Sequence, residues 1–177
     1  SFDEYCEAPY LTQLVEEGKL PPVEERLPAE PVVYTNEFFS DGPGEYGGIF
    51  RGVWAVPIEG WNFSAGVVLG WFGIEAIVQE EPIATGPMFL TQNVNPIPRL
   101  VKGWEWSEDG LTLTMHLIEG IKWSDGEAFT ADDVVYTFNL LKGNSALSGT
   151  GQGAVKEGGY VSEVKAVDET TVEFVFN

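Results

Sequence analysis

NPIPRLVKGWEWSEDGLTLTMHLIEGIKWSDGEAFTADDVVYTFNLLK, residues 95–142, is the stretch whose patterning decides the fold. At its centre Leu111, Leu113, Met115 and Leu117 alternate with Thr112, Thr114 and His116, the period of two of a strand with one face buried. Two similar phrases flank this strand, Trp106-Ser107-Glu108-Asp109-Gly110 and Trp123-Ser124-Asp125-Gly126. Each ends in Asp-Gly, a tight-turn pair, because glycine accepts positive φ and the aspartate can hydrogen-bond its own backbone. The tryptophans are therefore expected at strand ends, covering the core. Thr130-Ala131-Asp132-Asp133 predicts a helix start, with the threonine hydroxyl accepting from an early amide and the carboxylates opposing the positive end of the dipole. Val134, Phe138 and Leu141 continue at helical spacing, Val135 widens the stripe, and Lys142 and Gly143 close it.

Downstream, a loop of small residues from Asn144 to Gly159 leads to Val161, Val164 and Val167, then through Asp168-Glu169-Thr170 to Val172, Phe174 and Phe176. That is the pattern of a β-hairpin. Upstream, Pro9 to Gly18 is a short helical candidate with Leu11, Leu14 and Val15 on one side. Pro21, Pro22, Pro28 and Pro31 exclude regular helix beyond it and favour an extended path. The picture is an arm lying across a domain surface, held by Leu20, Val23 and Leu27, with a neighbouring chain as the alternative place to dock. Gly42, Gly44, Gly47 and Gly48 mark a junction, and Ile49 to Val56 reads as a buried strand stopped by Pro57. The division expected is an arm over 1–48 and a globular part over 49–177. Ala65 to Val78 has a mixed pattern, because its three glycines each disfavour helix by roughly 1 kcal/mol relative to alanine.

Composition bounds the function. A chain of 177 residues that is 44% hydrophobic can bury one core but not two large lobes. Nine basic residues against twenty-eight acidic ones give a formal charge of −19, which repels phosphate backbones and anionic lipid and argues against nucleic-acid binding. The carboxylates run from Asp3 to Glu173 among apolar residues, as on a solvated surface, and a salt-adapted habitat is the sharper alternative. With Cys6 alone, no disulfide within the chain and no cysteine-based zinc site can form, while pairing with another chain stays open. His116 has no histidine partner and reads as a strand residue, exposed or hydrogen-bonded. There is no run of about 18 apolar residues; Ala65 to Val78, the longest candidate, is interrupted by Gly66, Gly70, Gly73 and Glu75. No basic-then-apolar segment opens the sequence, so export would mean a signal removed or omitted, with Ser1 near a processed end.

The acidic pairs Glu80-Glu81, Glu108-Asp109 and Asp132-Asp133 each have a turn, surface or cap role simpler than catalysis or calcium binding. Gly149-Thr150-Gly151-Gln152-Gly153 lacks the Lys-Ser/Thr of a phosphate loop and reads as a flexible loop. No catalytic residue, metal ligand or cofactor is assigned.

The long phrase from Pro98-x-Leu100-Val101-x-Gly103-Trp104 through Gly110-Leu111-Thr112-Leu113, then His116-Leu117-x-x-Gly120-Ile121-Lys122-Trp123-Ser124-Asp125-Gly126-Glu127-x-Phe129-Thr130-Ala131-x-Asp133-Val134-Val135-Tyr136, resembles the signature of the family-5 extracellular solute-binding proteins. These are the oligopeptide, dipeptide and nickel receptors of ABC importers. The arm from Leu11 to Pro28 and Tyr46-Gly47-Gly48 resemble one branch of that family. The resemblance implies a mixed α/β fold like a class II periplasmic binding protein. In it, this chain is an incomplete first lobe with a mixed sheet, helices and a β-hairpin, lacking the second lobe, and Asn95–Lys142 is a structural subdomain. Ligand contacts are then expected from the loop after the first long strand, Gly60, Trp61, Asn62 and Phe63, and from Ser148 and Thr150. Core packing is the competing role for Trp61 and Phe63. The implied function is the substrate-binding component of an ABC importer, not an enzyme, capturing a peptide or other small solute in the periplasm or at the cell surface for a permease. A membrane anchor in the precursor is left open. Residues 1–48 would contact the rest of the protein or neighbouring copies. Family members are far longer than this chain, and the alternative is a surface or filament subunit derived from the amino-terminal part of such a protein.

Overall fold

Why the central phrase makes a sheet is visible in its register. In a computed structural model that describes residues 4–31, 33, 42, 44–49, 51–53, 78–84, 96–142 and 161–177, six strands and three helices are assigned among those residues. They are α1 (Thr12–Glu16), α2 (Val23–Arg26), β1 (Ile83–Ala84), β2 (Ile97–Pro98), β3 (Val101–Trp106), β4 (Thr112–Leu117), α3 (Ala131–Lys142), β5 (Val161–Asp168) and β6 (Thr171–Phe176). The main sheet runs β3-β4-β6-β5, antiparallel throughout, and β1 pairs with β2 in a separate ribbon.

Pairing of Trp104 with Met115, Trp106 with Leu113, Met115 with Val172, and Leu113 and Val164 with Phe174 gathers the large apolar residues on one face. Glu105 and Thr114, His116 and Thr171, and Lys165 and Glu173 pair on the other. Helix α3 covers the apolar face: Val134, Val135 and Phe138 pack on a core of Val101, Leu117, Ala131, Val161, Val164 and Val172. Val101 and Val172 are 0% and 1% exposed, and burying a side chain of this size contributes about 1.5–3 kcal/mol.

The hairpin does more than complete the sheet. Its turn carbonyls reach back to the centre: Leu117 N donates to Thr170 O at 2.7 Å, and Ala131 N to Glu169 O at 2.9 Å. The second bond gives a first-turn amide of α3, which has no partner inside its own helix, an acceptor from the turn. Asp168 shapes that turn, accepting from Thr170 N at 2.9 Å and Thr171 Oγ1 at 3.0 Å. At the start of α3 the expected cap is inverted. Asp133 Oδ2 accepts from Thr130 N at 2.8 Å, with the Thr130 hydroxyl 3.4 Å from the same oxygen, so the carboxylate is the acceptor rather than the hydroxyl.

Both predicted Asp-Gly turns form, with Gly110 at φ +70° and Gly126 at φ +95°. The tryptophans beside them are only half covered: Trp106 lies 5.3 Å from Phe176, and Trp123 meets Phe129 edge-on at 5.2 Å. Each acidic pair has a structural partner. Glu80 pairs with Arg99, Asp109 accepts from Ser107 Oγ at 2.6 Å and Leu111 N at 3.0 Å, and Asp133 forms the cap. Glu105 oxygens lie 2.9 and 3.0 Å from His116 Nε2, the hydrogen-bonded strand role expected of that histidine.

Three expectations need correction. The proline-rich arm contains a full helical turn, α2, because no proline falls inside Val23–Arg26: Pro22 precedes it in an extended conformation and Pro28 follows it. Leu27 does not hold the arm, since its side chain is exposed, as is that of Leu14 in α1. Ile49 and Val53 are 73% and 91% exposed and 51–53 form no strand among the described residues, so this part of the predicted buried strand is absent; an apolar run without a ladder partner has nothing to pack its faces. The expected hairpin forms as β5 and β6, with Val167 exposed where their register shifts between Ala166 and Asp168. Residues 54–56, and Ala65–Val78 apart from Val78, lie outside the described residues.

Candidate functional site

The residues expected to contact ligand, Gly60, Trp61, Asn62, Phe63, Ser148 and Thr150, all lie outside the described residues, and no geometry is attached to them. What the described residues do form is a groove of about 1090 Å³ between the amino-terminal arm and the body. One wall is arm, Glu24, Glu25 and Leu27 to Pro31; the other is body, Pro98, Val101, Lys102, Ile118 to Gly120 and Lys122.

The arm wall is built by short-range chemistry. Prolines at 21, 22, 28 and 31 narrow the backbone to a few conformations, leaving one turn of helix between them. Arg26, in that turn, points back across the arm. Its Nη2 donates to both Glu7 oxygens at 2.7 and 2.5 Å, and its Nε donates to Pro21 O at 2.9 Å. The Arg26 hydrogen bond, joined by its positive charge, holds the Glu7 carboxyl below the usual glutamate range. The Tyr5 hydroxyl donates to Pro28 O, and burial pushes its pKa up.

The body wall is the β2–β3 junction together with the segment after β4. Ile118 N donates to Leu100 O at 2.9 Å, locking the two. Two features join arm to body: Lys122 Nζ donates to Glu25 O at 2.7 Å, and Gly120, at φ +81°, brings its backbone near Pro28. The sequence predicts an arm lying across the domain surface, and Val23, one of the residues expected to hold it, is buried. Lys122 could not have been foreseen as an anchor, because its acceptor is a main-chain carbonyl ninety-seven residues away and carbonyls leave no mark on residue type. Chemically, the groove offers carboxylates, two ammonium groups and apolar proline surface. Among the described residues no three His, Cys, Asp or Glu side chains converge as a metal site, and no helix is long and apolar enough to cross a membrane.

Residues 95–177 match the family model described as bacterial extracellular solute-binding proteins, family 5 Middle, the family whose signature the central stretch resembles. Relatives extend the likeness to the rest of the sequence. The periplasmic alpha-galactoside-binding protein of Rhizobium meliloti (strain 1021) is 45% identical over 98% of this chain, and the match spans 25% of that protein. The structure of the periplasmic binding protein MelB from Agrobacterium fabrum C58 in complex with stachyose superposes with a TM-score of 0.82 at 43% identity, covering all of this chain and 27% of that one. The oligopeptide-binding protein OppA gives a TM-score of 0.65 at 34% identity, covering 99% of this chain and 24% of OppA. The mixed helix-and-sheet fold is thus that of about a quarter of a periplasmic binding protein, as the signature stretch implied.

Proposed function

We propose that these residues are part of the substrate-binding component of an ABC importer, a carrier and not an enzyme, which captures a small solute outside the cytoplasmic membrane and delivers it to a permease. The solute class we favour is an oligosaccharide of the α-galactoside type, ahead of the peptide first expected. The observation that carries this choice is the 45% identity along 98% of the chain to a protein named for α-galactosides, supported by the stachyose-bound structure at 43% over the whole chain. OppA is more distant at 34%.

In this reading the arm over 1–48 supports a globular part that starts at 49, and ligand contacts come from Gly60, Trp61, Asn62 and Phe63, with Ser148 and Thr150 adding polar groups. A tryptophan face suits a sugar ring, whose C–H surface is apolar while its hydroxyls need hydrogen-bond partners. Capture follows by closure of two lobes around the solute. Calorimetric titration of the native polypeptide with stachyose and with a tripeptide tests the class: heat from stachyose alone is expected, and heat from the tripeptide alone would overturn the choice. Trp61→Ala in the same polypeptide should raise the Kd for stachyose more than about tenfold, roughly 1.4 kcal/mol, without changing the far-ultraviolet circular dichroism. An unchanged Kd removes Trp61 from the site.

A further inference from the structure

The arm and the body face each other across the groove with opposite charges that do not touch. Glu24, Glu25 and Glu30 line the arm wall, and Lys102 and Lys122 line the body wall, with Glu119 the one carboxylate on the body side. Among the described residues no ion pair joins any of these carboxylates to either lysine. Lys122 spends a donor on the carbonyl of Glu25, not on its carboxylate. Meanwhile the arm is folded on itself through Glu7, Arg26, Tyr5 and Pro28, so it can shift with its own bonds intact.

We propose that residues 24–31 are a strap poised to close on the Lys102–Lys122 wall, drawn by charge and seated on the Lys122–Glu25 and Gly120–Pro28 contacts. Closing replaces water in the groove with up to three carboxylates approaching two ammonium groups. Glu119 opposes it, which keeps the attraction modest and the open form populated. Because all the charges are solvent-exposed, the balance depends on screening: the Debye length falls from about 30 Å at 0.01 M salt to about 3 Å at 1 M. The proposal does not depend on which solute the protein carries.

Disulfide trapping tests it, since a bridge needs Cα atoms within about 7 Å. In the native polypeptide, Ala29→Cys on the strap and Pro98→Cys on the body wall, with Cys6→Ser, leave every groove charge in place. Mild oxidation should form the 29–98 bridge, read by peptide mass mapping, at least about threefold faster at 0.01 M than at 1 M salt, the scale of a few exposed ion pairs. Adding Lys102→Gln, which leaves Lys122 balanced by Glu119 on the body wall, should remove that salt dependence. A bridge that forms at the same rate in both salts, or never forms, overturns the proposal. The protein without cysteine substitutions supplies a second reading. Hydrogen exchange across residues 24–31 should be slower at low salt, and Lys102→Gln should abolish the difference; exchange that ignores both salt and Lys102 overturns the strap even if the double-cysteine protein misfolds.

Discussion

The sheet with its helix and the amino-terminal arm are both made of short elements, yet they are held in different ways. In the body, β3, β4, β6 and β5 pair antiparallel in one sheet, and of the six buried core residues five lie in its strands under α3 and the sixth, Ala131, begins the helix. In the arm, α1 has five residues, α2 has four, and Val23 is the buried hydrophobic residue among those described. Helices that short do not persist alone in water. The arm keeps its shape through proline stiffness, the Glu7–Arg26 pair and bonds to carbonyls. The lesson is that one chain can carry a cooperative unit fixed by burial and beside it a docked unit fixed by charge, and the two should fail under different insults.

The largest effect is expected from the body. Val172→Ala opens a cavity at the centre of the sheet, where Val172 pairs with Met115 and Ala166, and should cost about 2–3 kcal/mol in denaturant unfolding. Trypsin cleavage in the arm should not change while the body is folded. A loss below about 0.5 kcal/mol would mean that the site can collapse and that burial is not what holds the body together.

Arg26→Gln is the converse and smaller perturbation. It removes the charge that holds Glu7 and the fork that reaches Pro21 O, so proteolysis between residues 4 and 31 should accelerate several-fold while the body's unfolding midpoint stays within about 1 °C. A matching fall in the body's midpoint would show that arm and body unfold as one, erasing the distinction.

The smallest effect is that of acid. The Glu7 carboxyl is depressed below its ordinary value of 4.5, chiefly by the Arg26 hydrogen bond, so its contribution is fully present above that value and is lost as pH falls through the lower, folded one. Asp109 and Asp168 are depressed too, by Ser107 Oγ and by the Thr170 amide respectively, and their contributions disappear below the ordinary aspartate value of 3.8 in the same sense. Arm cleavage monitored from pH 5 downward should therefore rise before the circular dichroism of the sheet changes. Simultaneous transitions would argue that the aspartate turns, not the clip, set the acid limit of both regions.

Elements whose stabilising contacts are local were legible in the residues. The alternation of Leu113, Met115 and Leu117, the two Asp-Gly turns, the stripe of α3 and the hairpin from Val161 to Phe176 all depend on neighbours within a few positions, and they appear as expected. Strand β3 was not foreseen, since Val101 to Trp106 has glycine and charge inside it and becomes a strand only by pairing with β4. The exposure of Ile49 and Val53 was misjudged for the same reason: an apolar run shows the tendency to be buried but not whether a partner arrives. For the candidate site, the aromatic loop at Gly60 to Phe63 was chosen from resemblance, and the groove beneath the arm was invisible because its walls come from residues 24–31 and 98–122.

By itself, then, the sequence determined the family likeness, through the fifty-residue phrase around β4, and the local geometry of turns and stripes, where side-chain chemistry acts within one or two turns of chain. Only the tertiary structure decided that Ala131 and Leu117 hydrogen-bond to the carbonyls of a hairpin turn, that Lys122 anchors Glu25, and that opposite charges confront each other across an open groove. These depend on backbone carbonyls and on distances between remote segments. Every residue carries the same carbonyl, so residue identity cannot announce which one will be used.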